Sequence, residues 1–165
     1  MTAVPLADPA LVVLAGASGS GKSAWAKTRF RSAEIVSSDA LRGIVGSGPA
    51  DLDASAEAFD LLDQIAAART RRRLTTVIDT LGLDPNRRND YLRLARSTDL
   101  PAVLVIMDTP PALCRQRNRE RDRPVPAPVI SEQLRRAKNL ITAADDEGWD
   151  QVVIISGAVD APAWP

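Results

Sequence analysis

The chain contains no histidine, which removes a common metal ligand and the commonest general base from its available chemistry. Its single cysteine, Cys114, excludes an internal disulfide and fits a reducing compartment, so a cytoplasmic location is expected. Basic and acidic residues number 21 each. No bulk charge therefore draws nucleic acid, and any such affinity has to come from a local basic patch. The longest strongly apolar runs, Leu11–Ala15 and Ala102–Met107, fall far short of the roughly 20 residues that cross a bilayer. The N-terminus lacks the basic start and long apolar stretch of a signal peptide, so no membrane partner is expected. Aromatic residues make up only 4% of the chain. Its tryptophans and lone tyrosine do not interleave with the basic cluster Arg69, Arg71–Arg73, as a base-stacking platform would. That cluster ends a helical stretch, where positive charge complements the helix dipole. No internal repeat and no low-complexity segment occurs.

What remains is ordinary globular composition, 45% hydrophobic and 25% charged over 165 residues, enough core for one domain. Residues 1–158 read as that domain and the proline-rich 159–165 as a tail or linker, in a chain that is itself open to being part of a longer protein. Short apolar runs rich in β-branched residues alternate with helix-like stretches, the pattern of a parallel α/β sheet. The expected strands are Leu11–Ala15, Glu34–Ser37, Leu74–Ile78, Val103–Met107 and Val152–Ile155. Each lacks strict polar alternation, as strands covered on both faces do. Asp53 or Ser55 is expected to cap a helix through Arg69, whose core face carries Ala56, Phe59, Leu62, Ile65 and Ala66. Pro85 suits the first turn of another helix, with Tyr91, Leu92 and Ala95 as its apolar stripe. Pro128 starts a longer one carrying Ile130, Leu134, Ala137 and Ile141, with Gly148 at its end.

Directly after the first strand stands Gly16-Ala17-Ser18-Gly19-Ser20-Gly21-Lys22-Ser23. It matches the phosphate-loop pattern G-x-x-x-x-G-K-[ST] at every position, and strand and helix flank it as the mechanism requires. Glycines let backbone amides converge on phosphate oxygens, and the following helix adds its positive end. Gly16, Ser18, Gly19, Ser20, Gly21, Lys22 and Ser23 are thus expected to bind ATP or another nucleoside triphosphate. Lys22 would reach the β- and γ-phosphates, and the Ser23 hydroxyl would complete the shell of a Mg2+ ion.

Ser37-Ser38-Asp39-Ala40-Leu41-Arg42 follows the second strand. Ligands of open parallel sheets collect at the carboxyl ends of strands, so Asp39 is expected in the same cleft. There it would accept a hydroxyl's proton as the phosphoryl group moves, with Arg42 holding a phosphate of either substrate. The competing reading makes Ser38 or Asp39 a helix N-cap. Two strands end in an acid. Asp79 is expected to orient the magnesium, whereas Asp108 reads as an N-cap ahead of Pro110. Arg115, Arg117, Arg119, Arg121 and Arg123 alternate after Cys114. Helical spacing would put Arg117 and Arg121 on one face, with Arg123 just beyond, able to close on the triphosphate. The alternative is a solvated helix balanced by Glu120 and Asp122.

These segments together resemble the 5′-hydroxyl kinase domain of bacterial polynucleotide kinase-phosphatases, a P-loop domain of the AAA type. The likeness rests on Val13–Ser23, Glu34–Arg42 and Cys114-x-x-Arg117-Asn118-x-x-Arg121-x-Arg123, and runs from about Leu11 to Ile155. It implies a P-loop NTPase fold of the nucleoside-monophosphate-kinase type. That fold has a five-stranded parallel sheet in the order 2-3-1-4-5, helices on both faces and an arginine lid. It implies ATP- and magnesium-dependent phosphorylation of RNA or DNA 5′-hydroxyl ends. Asp39 would then be the general base, Arg42 the acceptor-phosphate ligand, and Arg117, Arg121 and Arg123 the lid. The chain departs from the family after the third strand. The family tends to Asp-Ala-Thr-Asn where this chain has Asp79-Thr80-Leu81-Gly82, and these 165 residues do not include its appended phosphatase and ligase modules. A kinase for a small metabolite or nucleoside is the second reading. A nucleotide-binding regulatory module is the third, though it would need neither Asp39 nor a lid. On the polynucleotide reading, Arg87 or Arg88 would join Arg42 in holding the acceptor.

Overall fold

Side-chain alternation along Leu11–Ala15 accounts for the first strand, β1. Leu11, Val13 and Ala15 enter one apolar cluster, and Val12 and Leu14 enter another on the opposite face. All five are fully buried, and a strand covered on both faces needs apolar residues throughout. The structure is a computed structural model that describes residues 5–158. The expected tail, 159–165, lies outside them. After β1 come α1 (Lys22–Arg29), β2 (Ile35–Ser37), α2 (Ser38–Val45), α3 (Ser55–Arg71), β3 (Thr76–Asp79) and α4 (Pro85–Ser97). Then follow β4 (Ala102–Asp108), α5 (Pro111–Arg119), α6 (Ala127–Ala143) and β5 (Gln151–Ser156). The sheet is five-stranded in the order β2-β3-β1-β4-β5, parallel throughout, as the family resemblance implies. None of the described helices is long and apolar enough to cross a membrane.

α3, α4 and α6 cover the face carrying Leu11, Val13, Leu104 and Ile106. α1 covers the other, through Trp25 and Ala26 against Val12, Leu14, Val103 and Val105. This layering brings the carboxyl ends of all the strands to one edge, where the phosphate loop joins β1 to α1.

Several boundaries differ from the sequence expectation for local reasons. β2 starts at Ile35, because Ser32–Glu34 forms a 3-10 turn closed by the Glu34 carboxylate on the Arg31 amide. β3 starts at Thr76 rather than Leu74. Arg73 adopts a left-handed conformation with φ 55°, and the Leu74 amide donates back to the Arg69 carbonyl, ending α3. β4 and β5 run one residue further at both ends, because their pairing continues from Leu11↔Ala102 to Asp108↔Ser156. Neither Asp53 nor Ser55 caps α3. A 3-10 turn over Leu52–Ala54 leads into it, and Ala54 stands at the N-cap without a side-chain bond. Asp84 does cap α4, accepting from the Asn86 amide at 2.9 Å. α6 ends at Ala143. A 3-10 turn carries the chain to Asp146 before Gly148, at φ 91°, reverses it.

Candidate nucleotide and acceptor site

The loop from Gly16 to Gly21 is held on three sides. Beneath it, the Gly16 amide donates to the Leu81 carbonyl at 3.0 Å. From the residue just past β4, the buried Thr109 hydroxyl donates to the Ser20 carbonyl at 2.7 Å. From α5, the Arg117 Nη1 donates to the Gly19 carbonyl at 3.2 Å. Gly19 has φ 79°, and a Cβ there would stand 2.7 Å from the Cys114 carbonyl oxygen. Only glycine allows this contact, so α5 can lie directly on the loop. Gly21 is the left-handed N-cap of α1, and Lys22 and Ser23 begin the helix whose positive end faces the loop.

Lys22 is buried and folded onto its own loop. Its Nζ donates to the carbonyls of Gly16 at 2.8 Å and Ala17 at 3.0 Å, and to the Ser20 hydroxyl at 3.4 Å. Burial lowers its pKa from 10.5 to about 8. Asp79 and Asp39 push it upward and Arg121 downward, so all three charges act on the ammonium. The Ser23 hydroxyl donates to Asp79 Oδ2 at 2.7 Å. Asp79 is itself buried, and its pKa is raised chiefly by burial, against the opposing pull of Ser23 and Lys22. A hydroxyl and a carboxylate are hard oxygen donors. Among the described residues no cluster of three His, Cys, Asp or Glu side chains could hold a metal alone. The pair fits magnesium, which takes one or two protein ligands and completes its shell with phosphate and water.

Asp39 occupies the first turn of α2, but neither it nor Ser38 is the cap. Ser37 takes that place, accepting from the Ala40 amide. The Asp39 carboxylate pairs with Arg42, whose Nε is anchored on the Pro49 carbonyl. Arg42 thus bridges Asp39 and its own connecting loop. Asp108 caps nothing. It is the exposed last residue of β4, and Pro110 stands at the N-cap of α5.

The arginines divide. α5 ends at Arg119, so Arg117 and Arg121 do not share a helical face. Asn118 stops the helix, since its side chain donates to the Val125 carbonyl and accepts the Val125 amide at 2.8 and 2.9 Å. Arg117 still touches the phosphate loop, and Arg121 lies near enough to depress Lys22. Arg123 is exposed. The basic cluster at the end of α3 serves the fold, with Arg69 on the Thr75 carbonyl and Arg73 beside Asp99. Arg87 and Arg88 serve it too. Arg87 pairs with Asp63 and lies over the Phe59 ring, and the buried Arg88 binds Glu147 and the Gly82 carbonyl.

Two site residues have no local sequence signal. Thr109 reads only as the residue after a strand. Gln133 comes from mid-α6, and its Oε1 accepts the Ser18 amide at 2.9 Å. Gly82, where the chain departs from the family pattern, has a local reason of its own. At φ 65° a Cβ there would lie 2.1 Å from the Leu14 carbonyl oxygen. The loop after β3 thus passes too close to β1 for any side chain.

The profile of the family described as "AAA domain" matches residues 11–143. No curated protein matches the chain. Solved structures share its architecture. The AvrRxo1-ORF1:AvrRxo1-ORF2 complex is similar at a TM-score of 0.64 and 19% identity, over 84% of this chain and 50% of that one. The same complex is also known with ATP. A structure from the PezAT toxin-antitoxin system of Streptococcus pneumoniae is similar at 0.67 and 12%, over 90% and 67%. A Chloroflexus aurantiacus protein named as an inferred kinase is similar at 0.61 and 13%, over 95% of both chains. At these identities the likeness shows the fold. This chain spans about half the length of the first of them.

Proposed function

We propose a phosphotransferase function for this chain, which belongs to the AAA domain family: it moves the terminal phosphoryl group of ATP to an alcohol. The observation that carries this reading is the convergence of Lys22, Ser23, Asp79 and Asp39 at one edge of the sheet, each within the electrostatic reach of another. A loop that only bound nucleotide would have no use for a second carboxylate held in place by its own arginine.

The loop amides and the start of α1 hold the phosphates. Lys22 exchanges its carbonyl partners for phosphate oxygens. Ser23 and Asp79 are the residues that would hold magnesium, whose charge would stabilise the phosphoryl oxygens. Asp39, oriented by Arg42, takes the acceptor's proton as the new O–P bond forms and the bond to the ADP oxygen breaks. Arg117 and Arg121 cover the loop and exclude water.

Two acceptor classes compete. The Ser37-Ser38-Asp39-x-x-Arg42 element supports a polynucleotide 5′-hydroxyl end. Against it, Arg87 and Arg88 are committed to Asp63 and Glu147, and Leu81-Gly82 replaces polar groups beside the cleft. The geometry favours a small-molecule alcohol. Labelled γ-phosphate transfer should be measured against 5′-hydroxyl RNA and DNA oligonucleotides, free nucleosides and small alcohols. Transfer to any alcohol is expected. ATP binding without transfer to any acceptor would return the chain to the regulatory reading.

A further inference from the structure

A cavity of about 420 Å³ opens between α6 and the loop after β3, lined by Leu81, Pro128, Val129, Glu132, Gln133 and Arg136. Its walls are bonded to the phosphate loop at two points. Leu81 accepts the Gly16 amide through its carbonyl, and Gln133 accepts the Ser18 amide through its side chain. An occupant would therefore sit beside the loop that holds the phosphates.

The lining has two characters. Leu81 and Val129 are among the large apolar side chains that folding leaves exposed, and with Pro128 they form an apolar wall. Apolar surface with a few placed polar groups is the usual make-up of a small-molecule site, and this open groove has a volume within the usual range of about 300–1,000 Å³. The polar side is not neutral. The Glu132 carboxylate is bound at both oxygens by Arg135, at 2.8 and 2.6 Å. Arg136 donates from Nη2 to the Leu83 carbonyl at 2.6 Å. Its other guanidinium nitrogens make no hydrogen bond among the described residues, although the nearby Glu132 carboxyl, held below its ordinary pKa chiefly by the Arg135 hydrogen bond, also feels the Arg136 charge. A guanidinium fixed at one corner with a free edge suits a carboxylate or phosphate.

We infer that this cavity is the acceptor's specificity pocket, and that it takes a small alcohol with an apolar body and one anionic group. The inference rests on the phosphotransferase reading and adds the acceptor's chemical class to it. The hydrocarbon body lies against Leu81, Pro128 and Val129. The anionic group meets Arg136, and the hydroxyl points to the phosphate loop. Gln133, which spans cavity and loop, is a positioning residue for the loop.

The test uses 3-(hydroxymethyl)benzoate as the probe, benzyl alcohol as its uncharged counterpart, and a 5′-hydroxyl octanucleotide. Phosphoryl transfer is read for the native chain, Arg136→Met and Val129→Asp. Binding of the benzoate to the ADP- and magnesium-loaded protein is read separately by ligand-observed NMR. The expected result is a kcat/KM for the benzoate at least about tenfold above benzyl alcohol. Arg136→Met should erase that preference without changing the KM for ATP, and Val129→Asp should depress both alcohols. Benzoate binding that Arg136→Met abolishes, with no transfer to any probe, upholds the pocket while sinking the phosphotransferase reading. Transfer to the octanucleotide or the alcohols that neither variant alters overturns the pocket and leaves phosphotransfer standing. Benzoate binding that is absent, or unchanged in both variants, also overturns the pocket.

Discussion

Lys22 shows how burial sets the chemistry of a single side chain. Its ammonium is removed from water and held by carbonyls of its own loop, and burial brings its pKa down to about 8. Between that value and 10.5 the unfolded chain keeps a proton that the folded chain has lost, so stability rises with pH through this window. Nucleotide binding runs the other way. Phosphate oxygens favour the charged ammonium, so above about pH 8 binding must take up a proton. ATP affinity should then fall, approaching roughly tenfold per pH unit. Calorimetry near pH 9 in buffers of differing ionisation heat reads that uptake, which Lys22→Met should remove. The same substitution should abolish transfer, since Lys22 is the one cationic side chain within the loop sequence. Asp39 has a separate role. Asp39→Asn should leave ATP affinity nearly unchanged and cut turnover about a hundredfold or more, the usual scale for a lost general base. Calorimetry beside single-turnover kinetics separates the two effects. A loss confined to binding would make Asp39 a structural or metal-binding group.

Among the elements, those legible in the sequence are the ones whose cause is local. β1 is a continuous apolar run, and the phosphate loop follows it with glycines at the positions where backbone must approach ligand or α5. The hydrogen bond between Ser23 and Asp79 joins two residues that the sequence marks, the first by the motif and the second by a strand that ends in an acid. Helical spacing carries α5 too far, because alternating arginines continue past its end at Arg119. What ends it is the Asn118 clasp on Val125, a contact that helical spacing does not report. Gln133 and Thr109 reach the loop from 115 and 89 residues away in sequence, and no pattern signals that reach. The loop after β3 gives a test at this scale. Gly82 needs a left-handed backbone and has no space for a Cβ against Leu14 and Ala15. Gly82→Ala should destabilise the fold by roughly 2–4 kcal/mol, a fall in Tm of roughly 5–15 °C. Leu81→Ala, at a half-exposed neighbour, should shift stability by no more than about 0.5 kcal/mol. Equal Tm values for the two variants, by thermal melts, would mean that the loop does not pack on β1 as described.

Over the whole molecule, charge is balanced, and part of it is paired internally. Basic and acidic residues cancel, and arginines that might grip a polyanion are paired within the fold. Arg88 sits against Glu147, Arg87 against Asp63, Arg73 near Asp99 and Arg42 against Asp39. Freeing Arg88 for a substrate would leave the partly buried Glu147 with only its Trp149 hydrogen bond, a loss smaller than the roughly 3–5 kcal/mol of a fully buried pair. A polynucleotide would therefore find fewer free cations beside the phosphate loop than the sequence suggests, because Arg42, Arg87 and Arg88 are already paired. Salt dependence separates the acceptor classes. Each phosphate contact on a single strand contributes about −0.7 to the slope of log affinity against log salt. Two or three contacts would give roughly −1.4 to −2. A small anionic alcohol has no condensed counterions to release, and one contact with Arg136 is only screened. The acceptor's kcat/KM, followed across a salt series at saturating ATP, should show a slope shallower than about −0.7. The KM for ATP, followed in the same series, corrects for any salt effect on the nucleotide. A slope of about −1.4 or steeper would mean that at least two acceptor phosphates are held, and would make the polynucleotide end the acceptor.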